Sequence, residues 1–142
     1  MNAIGAPAPR PCASCPYRRD VPSGIWAATE YSKLAAYDRP TMEQPPGVFL
    51  CHQNDSGSSA SRVCAGWAGC HDGDELLAVR IGVMDQTLSI ETAEAIRDYT
   101  SPVPLFGSGN EAAKAGMAEI AQPGPEAEAA IVKITRRRQD LY

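Results

Sequence analysis

The amino-acid sequence predicts a mainly α-helical fold with a loop-rich N-terminal half and few or no strands. Helical spacing of apolar residues and helix-capping patterns are concentrated after residue 72. The first half instead contains proline-, glycine- and serine-rich segments, such as 38–47 and 53–62. Its one strand-like signal is a short apolar run at 48–50, and the length of 142 residues predicts a single domain.

The composition indicates a thin hydrophobic core. Hydrophobic residues make up 44% of the chain, but 22 of them are alanines, and glycine and proline contribute 12 residues each. Small, loop-rich chains of this kind commonly need a metal ion, a disulfide or a partner to become stable. We therefore expect a stabilising element besides the core itself.

Charge and hydropathy exclude two classes of protein. The net charge of −4 argues against a protein that coats nucleic acid by charge alone, although a local basic patch is compatible with it. No apolar run approaches the roughly 20 residues of a membrane-spanning helix. The first 11 residues lack the basic and apolar regions of a secretory signal, so we expect a cytoplasmic protein without membrane contact.

The chain divides into a short lead-in and one domain with two halves. Residues 1–11 are rich in alanine and proline and predict a flexible lead-in, followed by a single domain over 12–142. Within it, 12–71 contains every cysteine and histidine, and 72–142 is the helical half. In the first half, Ser23 predicts the N-cap of a helix that reaches about Tyr37.

Four further helices are expected in the second half. Asp72 or Asp74 is the expected cap of a helix over 75–84, and another is expected over 89–99. Ser108 and Glu111 form a capping-box pattern that predicts a helix over 109–121. The last helix, 126–140, begins with acids and ends with Arg136–Arg138, an arrangement that suits the helix dipole. The alternative interpretation of the arginine run is a tail that binds nucleic acid or a partner.

The five cysteines carry the strongest functional signal. All five lie in the first half of the chain. The reducing cytoplasm disfavours disulfides, so clustered cysteines in a cytoplasmic protein indicate metal ligands or redox-active thiols. Cys12 and Cys15 form a C-x2-C pair, whose two sulfurs can converge from one tight turn. Cys51 and Cys64 are the natural candidates to complete a four-thiolate set. The predicted fold is thus mainly α with a loop-rich, metal-stapled N-terminal half.

Three nearby residues are additional candidates at this site. His52 directly follows Cys51, and because adjacent residues rarely bind one ion together, it is expected to orient the site or, in a Cys₃His set, to replace a thiolate. Cys70 and His71 are less certain extra ligands. A 4Fe–4S cluster is slightly favoured over Zn²⁺, since only one of the two expected zinc knuckles is present and a proline follows Cys15.

Three short motifs resemble a known group of proteins. The segments PCASCPYR at 11–18, FLCH at 49–52 and CAGW at 64–67 look like a family of small cysteine-rich proteins of unknown function from actinobacteria and their phages. The resemblance covers most of the chain and implies a phage- or prophage-related protein. Carried over residue by residue, the family pattern falls on Cys12, Cys15, Cys51 and Cys64.

Several neighbouring residues have two interpretations. Arg18 and Arg19 are expected to be surface residues paired with acids, the alternative being charge compensation of an anionic centre or contact with a phosphate. Trp67 is expected in the core, the alternative being a shield over a cluster. The C-x2-C pair also resembles a redox dithiol, but the strand and helix expected around such a motif are missing from the sequence pattern.

No catalytic motif is found, so an enzyme is not favoured. The sequence predicts a small non-enzymatic metal-binding protein with a four-cysteine structural or redox centre and a helical surface for a protein partner. The alternative is an iron–sulfur redox sensor or regulator that acts on host transcription or nucleic acid. Charge disfavours nucleic acid as the partner.

Overall fold

The computed structural model describes residues 4–51 and 61–137. Over these ranges the protein is mainly helical, and β-structure is limited to three isolated bridges. The mainly α prediction is therefore confirmed. The helices are α1 Ala28–Ala36, α2 Ala65–Cys70, α3 Leu77–Met84, α4 Ile90–Arg97, α5 Gly109–Met117 and α6 Pro125–Arg137. Short 3₁₀ turns lie at Thr41–Glu43 and Gly73–Glu75.

The first helix begins later than the sequence predicts. Its N-cap is Ala27, and the expected cap Ser23 serves another segment. The Ser23 hydroxyl donates to the Gly116 carbonyl at 2.9 Å and accepts the Glu119 amide at 2.9 Å, which ties this loop to the end of α5. Gly24 has a left-handed φ of 84°, so the backbone at this residue is not α-helical and the helix cannot begin at Ser23.

Of the caps predicted in the second half, Ser108 is confirmed and the aspartate cap of α3 is wrong. Ser89 accepts the Thr92 amide at the start of α4, and Ser108 accepts the Glu111 amide at the start of α5. The return bond of the capping box goes to the amide of Gly107 instead of Ser108. Asp72 caps the 3₁₀ turn and not α3 itself, so α3 begins two residues later than predicted.

α1 and α5 pack closely because one face of α5 carries only small residues. Gly109, Ala112, Ala113 and Gly116 are all buried. A methyl group on Gly116 would overlap the ring of Tyr31, and one on Gly109 would overlap the Leu34 carbonyl. Asp38, just beyond α1, accepts the amides of Gly109 and Asn110 at 2.9 and 2.7 Å and so holds the start of α5 in place.

The core is organised around aromatic side chains. Tyr17, Tyr31 and Trp67 are at most 2% exposed, which confirms the core prediction for Trp67. The Tyr37 ring contacts both Trp67 and Phe49 edge-on, with ring centroids 5.4 and 6.2 Å apart. These large side chains compensate for the alanine-rich composition, because each buries far more apolar surface than an alanine. The Trp67 indole N–H is buried without a hydrogen-bond partner among the described residues.

Part of the lead-in is hydrogen-bonded to the rest of the chain. The Gly5 amide donates to the Ser61 carbonyl at 3.0 Å, and the Val63 amide donates to the Gly5 carbonyl at 2.9 Å. Tyr99 donates to the Pro9 carbonyl at 3.1 Å. The predicted boundary at residue 11 and the division into halves stay predictions. In the described ranges, no helix is long and apolar enough to cross a membrane.

Candidate metal centre

Cys12 and Cys15 lie at the two ends of one tight turn. The Cys15 amide donates to the Cys12 carbonyl at 3.1 Å, and the Arg18 amide donates to the Cys15 carbonyl at 3.1 Å. The guanidinium of Arg18 donates to the carbonyls of Pro11 and Cys12 at 3.1 and 3.3 Å. Arg18 therefore fixes the turn from its side and holds the two thiols in place.

Cys51 and Cys64 are delivered by a short antiparallel pairing. Leu50 and Val63 form an isolated bridge. Beside it, the Cys51 amide donates to the Arg62 carbonyl and the Cys64 amide to the Phe49 carbonyl, both at 2.8 Å. This pairing joins the two ends of the chain segment between the cysteines and brings both residues to the C-x2-C turn.

The structure brings the four predicted cysteines together. The sulfurs of Cys15 and Cys64 lie 3.8 Å apart. The thiols of Cys15 and Cys51 are near enough to the Cys12 thiol to lower its pKa. Neighbouring thiols thus follow the order Cys51, Cys12, Cys15 and Cys64. None of the five cysteines, all in the described ranges, forms a disulfide.

The thiols are close but not arranged around one point. Among residues 4–51 and 61–137, no group of three or more cysteine, histidine, aspartate or glutamate side chains stands in a geometry that holds a metal ion. The donor set itself suits a soft metal, since four cysteine sulfurs are the ligands of structural zinc sites and of iron–sulfur clusters.

The pKa values of the Cys12 and Cys15 thiols are shifted in opposite directions. Hydrogen bonds from Cys15 and Cys51 lower the pKa of Cys12 to about 2. The hydrogen bond to Cys12 raises the pKa of Cys15 well above its usual value, and contact with Cys64 and burial act in the same direction. Of this pair, Cys12 is therefore the more acidic thiol and the buried Cys15 the less acidic one. A thiolate is the form that binds metal.

Gly66, at the start of α2, provides the space for Cys15. A methyl group on Gly66 would overlap the Cys15 sulfur and would also press on Tyr17. The glycine therefore lets the first turn of α2 approach the sulfur pair. The short segment CAGW thus contributes a ligand candidate, Cys64, and the space for another.

Cys70 and His71 lie apart from these four contacts and face a cleft. His71 Nε2 lies 3.0 Å from the Tyr17 hydroxyl and Nδ1 lies 3.7 Å from Asp38. Burial lowers the pKa of His71 to about 4, against an opposing effect of Asp38. Burial raises the pKa of Tyr17, so its phenol stays protonated within hydrogen-bonding distance of Nε2.

The environment of Cys70 keeps its thiol protonated. Burial raises the pKa of Cys70 to about 12, helped by the charges of Asp38 and Glu111. Neither Cys70 nor His71 takes part in the sulfur contacts described for the other four cysteines. His52, the remaining candidate, lies outside the described residues. The Tyr17–His71 pair was not expected from the sequence, because the two residues are 54 positions apart and nothing in their spacing links them.

Comparison with known proteins identifies the family of this chain. Residues 7–138 match the family described as "Family of unknown function (DUF6283)". The chain belongs to DUF6283. No curated protein and no solved structure matches it. The DUF6283 match covers nearly the whole chain and agrees with the predicted resemblance to a family of unknown function.

In this DUF6283 protein, the two arginines after the C-x2-C pair have acidic partners. Arg18 donates to Asp20 through both ends of its guanidinium group, with a shortest distance of 2.7 Å. Arg19 pairs with Glu111 at 2.9 Å and lies 5.2 Å from the ring centre of Phe106. Arg19 is thus an exposed arginine paired with an acid, as predicted, whereas Arg18 has its acidic partner but a side chain that is only 15% exposed. The structure describes only part of the basic run at the C-terminus. α6 ends at Arg137, and Arg138 lies outside the described residues.

Proposed function

We propose that this chain is a small, cytoplasmic, non-enzymatic metal-binding protein whose centre is held by Cys12, Cys15, Cys51 and Cys64. The metal acts as a staple between the N-terminal loops and α2. The observation that carries the proposal is the meeting of these four thiols, which come from three separate segments of the chain. Cysteine sulfurs from separate segments of a chain are the usual donor set of zinc and iron–sulfur sites, so their proximity supports a shared bound group.

A single zinc ion is the occupant that the closest distance supports best. Four sulfurs bound tetrahedrally at about 2.3 Å from one ion lie about 3.8 Å from one another. The Cys15 and Cys64 sulfurs are 3.8 Å apart. Thiolates that bind different corners of a 4Fe–4S cluster are held farther apart, since each binds its own iron. The distance of this pair therefore favours zinc, against the slight preference for iron that the sequence gives.

An iron–sulfur centre is the second candidate, and a different observation favours it. In the described ranges, no three ligand side chains stand in a geometry that holds a single metal ion, which weighs against zinc. In a cluster each thiolate binds its own iron, so the four sulfurs need not converge on one point. With a cluster, the protein would act as a redox sensor or regulator of a partner.

A structural role suits the architecture around the thiols. The C-x2-C turn and the Leu50–Val63 bridge contain no long ladder of backbone hydrogen bonds in the described residues, and they enclose the aromatic core. A bound ion that fixes both segments would contribute folding free energy directly, because the unfolded chain has no preformed site. The metal would thus compensate for the thin core.

We propose that the helical half binds a protein partner. We also propose that this chain is of phage or prophage origin, as the resemblance implies. Met84 and Ile90, on either side of the α3–α4 turn, are 82% and 65% exposed. Exposed apolar side chains of this size support a contact surface. Crosslinking with the wild-type chain and with a Met84→Lys, Ile90→Lys double variant tests this. Capture of the same proteins by both would contradict it.

The metal centre is tested by anaerobic purification followed by elemental analysis and a visible spectrum on the same sample. One equivalent of zinc and a featureless visible spectrum are expected. Iron with sulfide and a brown colour would reject zinc in favour of the second candidate. If the protein is well folded and contains neither metal, and does not take up Zn²⁺ or Co²⁺ when titrated under reducing conditions, the proposal is wrong.

A further inference from the structure

We infer that Cys12 is the reactive sulfur of the proposed centre and that small peroxides reach it through a cavity beneath α6. This inference rests on the proposed function and adds a route and a site of modification to it. It rests on the unequal burial of the four thiols and on a cavity among the described residues that Cys12 lines.

The four thiols differ in their access to solvent. Cys15 and Cys64 are 1% and 3% exposed and lie in the core. Cys12 and Cys51 are partly exposed. A small reagent therefore meets the outer pair first, because access limits the reaction of a thiol as much as its charge does.

A cavity separates Cys12 from the last helix. Its volume is about 460 Å³, within the usual range of small-molecule sites. The turn provides one wall with Cys12 and Ser14, and α6 provides the other with Ala129, Ala130, Lys133 and Ile134. Cys12 is the single member of the four-cysteine set that lines it. The small alanine side chains of α6 leave this space open.

The cavity suits a small, neutral, polar reagent. Lys133 and Glu126 place opposite charges at its rim, and the alanines are apolar. The Ser14 hydroxyl lies 3.8 Å from the Cys12 sulfur and offers a hydrogen-bonding group beside it. Hydrogen peroxide satisfies these conditions, whereas a protein-sized oxidant does not fit.

The reaction is a two-electron oxidation. The Cys12 thiolate attacks one oxygen of hydrogen peroxide, so that an S–O bond forms and the O–O bond breaks. The hydroxide that leaves takes up a proton and becomes water. Cys12 is oxidised to a sulfenic acid and the peroxide is reduced. The oxidised sulfur has lost its thiolate charge and is a poorer ligand, so metal release follows.

The experiment uses the full-length protein after its metal content has been measured. It is treated with substoichiometric hydrogen peroxide in the presence of dimedone, which traps sulfenic acids, and each cysteine is followed by peptide mass spectrometry. We expect Cys12 to be labelled first, with metal release at the same rate. Earlier labelling of Cys51, Cys15, Cys64 or Cys70 would overturn the inference.

Variants of α6 test the route. Ala130→Trp fills the cavity and should slow Cys12 labelling by roughly fivefold or more, because oxidation depends on access. Ala129→Phe, at an exposed position of the same wall, is the second variant if the first fails to fold. Val132→Trp, on α6 but outside the cavity, is the matched control. Equal labelling rates in the cavity variants and the control would overturn the route.

The two proposals fail separately. A folded protein that neither contains metal nor takes up added Zn²⁺ or Co²⁺ contradicts the proposed function, whatever the order of labelling. A normal metal content with Cys12 protected contradicts only the inference.

Discussion

Gly66 packs directly against the sulfur of Cys15, so that the first turn of α2 touches the C-x2-C turn with no side chain between them. Cys64 is the N-cap of the same helix, and its sulfur lies 3.8 Å from that of Cys15. One short helix therefore provides a thiol and also the space for its neighbour. The geometry of the sulfur pair depends on both.

Replacing Gly66 with alanine should damage the centre. The added methyl group would overlap the Cys15 sulfur and press on Tyr17, and overpacking of this kind costs about 1–3 kcal/mol. We expect a lower melting temperature together with reduced metal content. Gly47→Ala is the control, since no atom lies within 4 Å of the added methyl group there. Equal metal content and stability in both variants would contradict the role of Gly66.

Serine substitutions should distinguish the four proposed metal ligands from Cys70 by their effect on metal content. Cys12→Ser, Cys51→Ser and Cys64→Ser should each lose most of the bound metal, because a hydroxyl is a poor ligand for a soft metal. Cys70→Ser should keep it, since Cys70 does not contact the other four thiols and burial raises the pKa of its thiol to about 12. Elemental analysis and thermal unfolding of the matched set check this. Loss of metal from Cys70→Ser alone would reverse the assignment.

The sequence predicts the helical half better than the loop-rich half for a physical reason. Caps such as Ser89 and Ser108 act on amides three residues away, so their effect can be seen in a short segment. Ser23 has the same local features, but its hydroxyl bonds to Gly116 and Glu119, which are distant in sequence. Tertiary contacts outweighed its capping preference.

The same distinction holds at the candidate site. The four cysteines could be proposed as metal ligands from the sequence, because cysteine is a metal-binding residue type and the C-x2-C spacing of Cys12 and Cys15 is typical of metal sites. Tyr17 and His71 could not be paired, since their contact depends on how α2 lies against the C-x2-C turn. The role of Gly66 becomes visible only once the Cys15 sulfur is located beside it.

The packing of α1 on α5 should be sensitive to side-chain size at Gly116. A methyl group there would overlap the Tyr31 ring, which is 2% exposed and has no room to move outward. We expect Gly116→Ala to destabilise the fold by about 1–3 kcal/mol, although alanine favours helix. Urea unfolding measures this, with Gly124→Ala as the control at an open position. A Gly116→Ala protein as stable as the wild type would show that the two helices are farther apart.

His71 should make stability depend on pH over a defined window. Burial lowers the pKa of His71 from its ordinary 6.5 to about 4. Between these values the unfolded chain binds a proton that the folded chain does not, so folding stability falls as the pH is lowered from 6.5 toward 4. The full effect is about 3 kcal/mol at most, and His71 contributes no pH dependence above pH 7.

The comparison of wild type with His71→Asn isolates this contribution. Urea unfolding at intervals from pH 7 to pH 4 should give a steeper loss of stability in the wild type than in the variant. Release of metal in acid lowers the stability of both proteins alike and cancels in the difference. Parallel curves for the two proteins would mean that His71 is protonated as readily in the folded state as in the unfolded chain. In that case, the hydrogen bond from Tyr17 to a neutral Nε2 could not persist below pH 6.5.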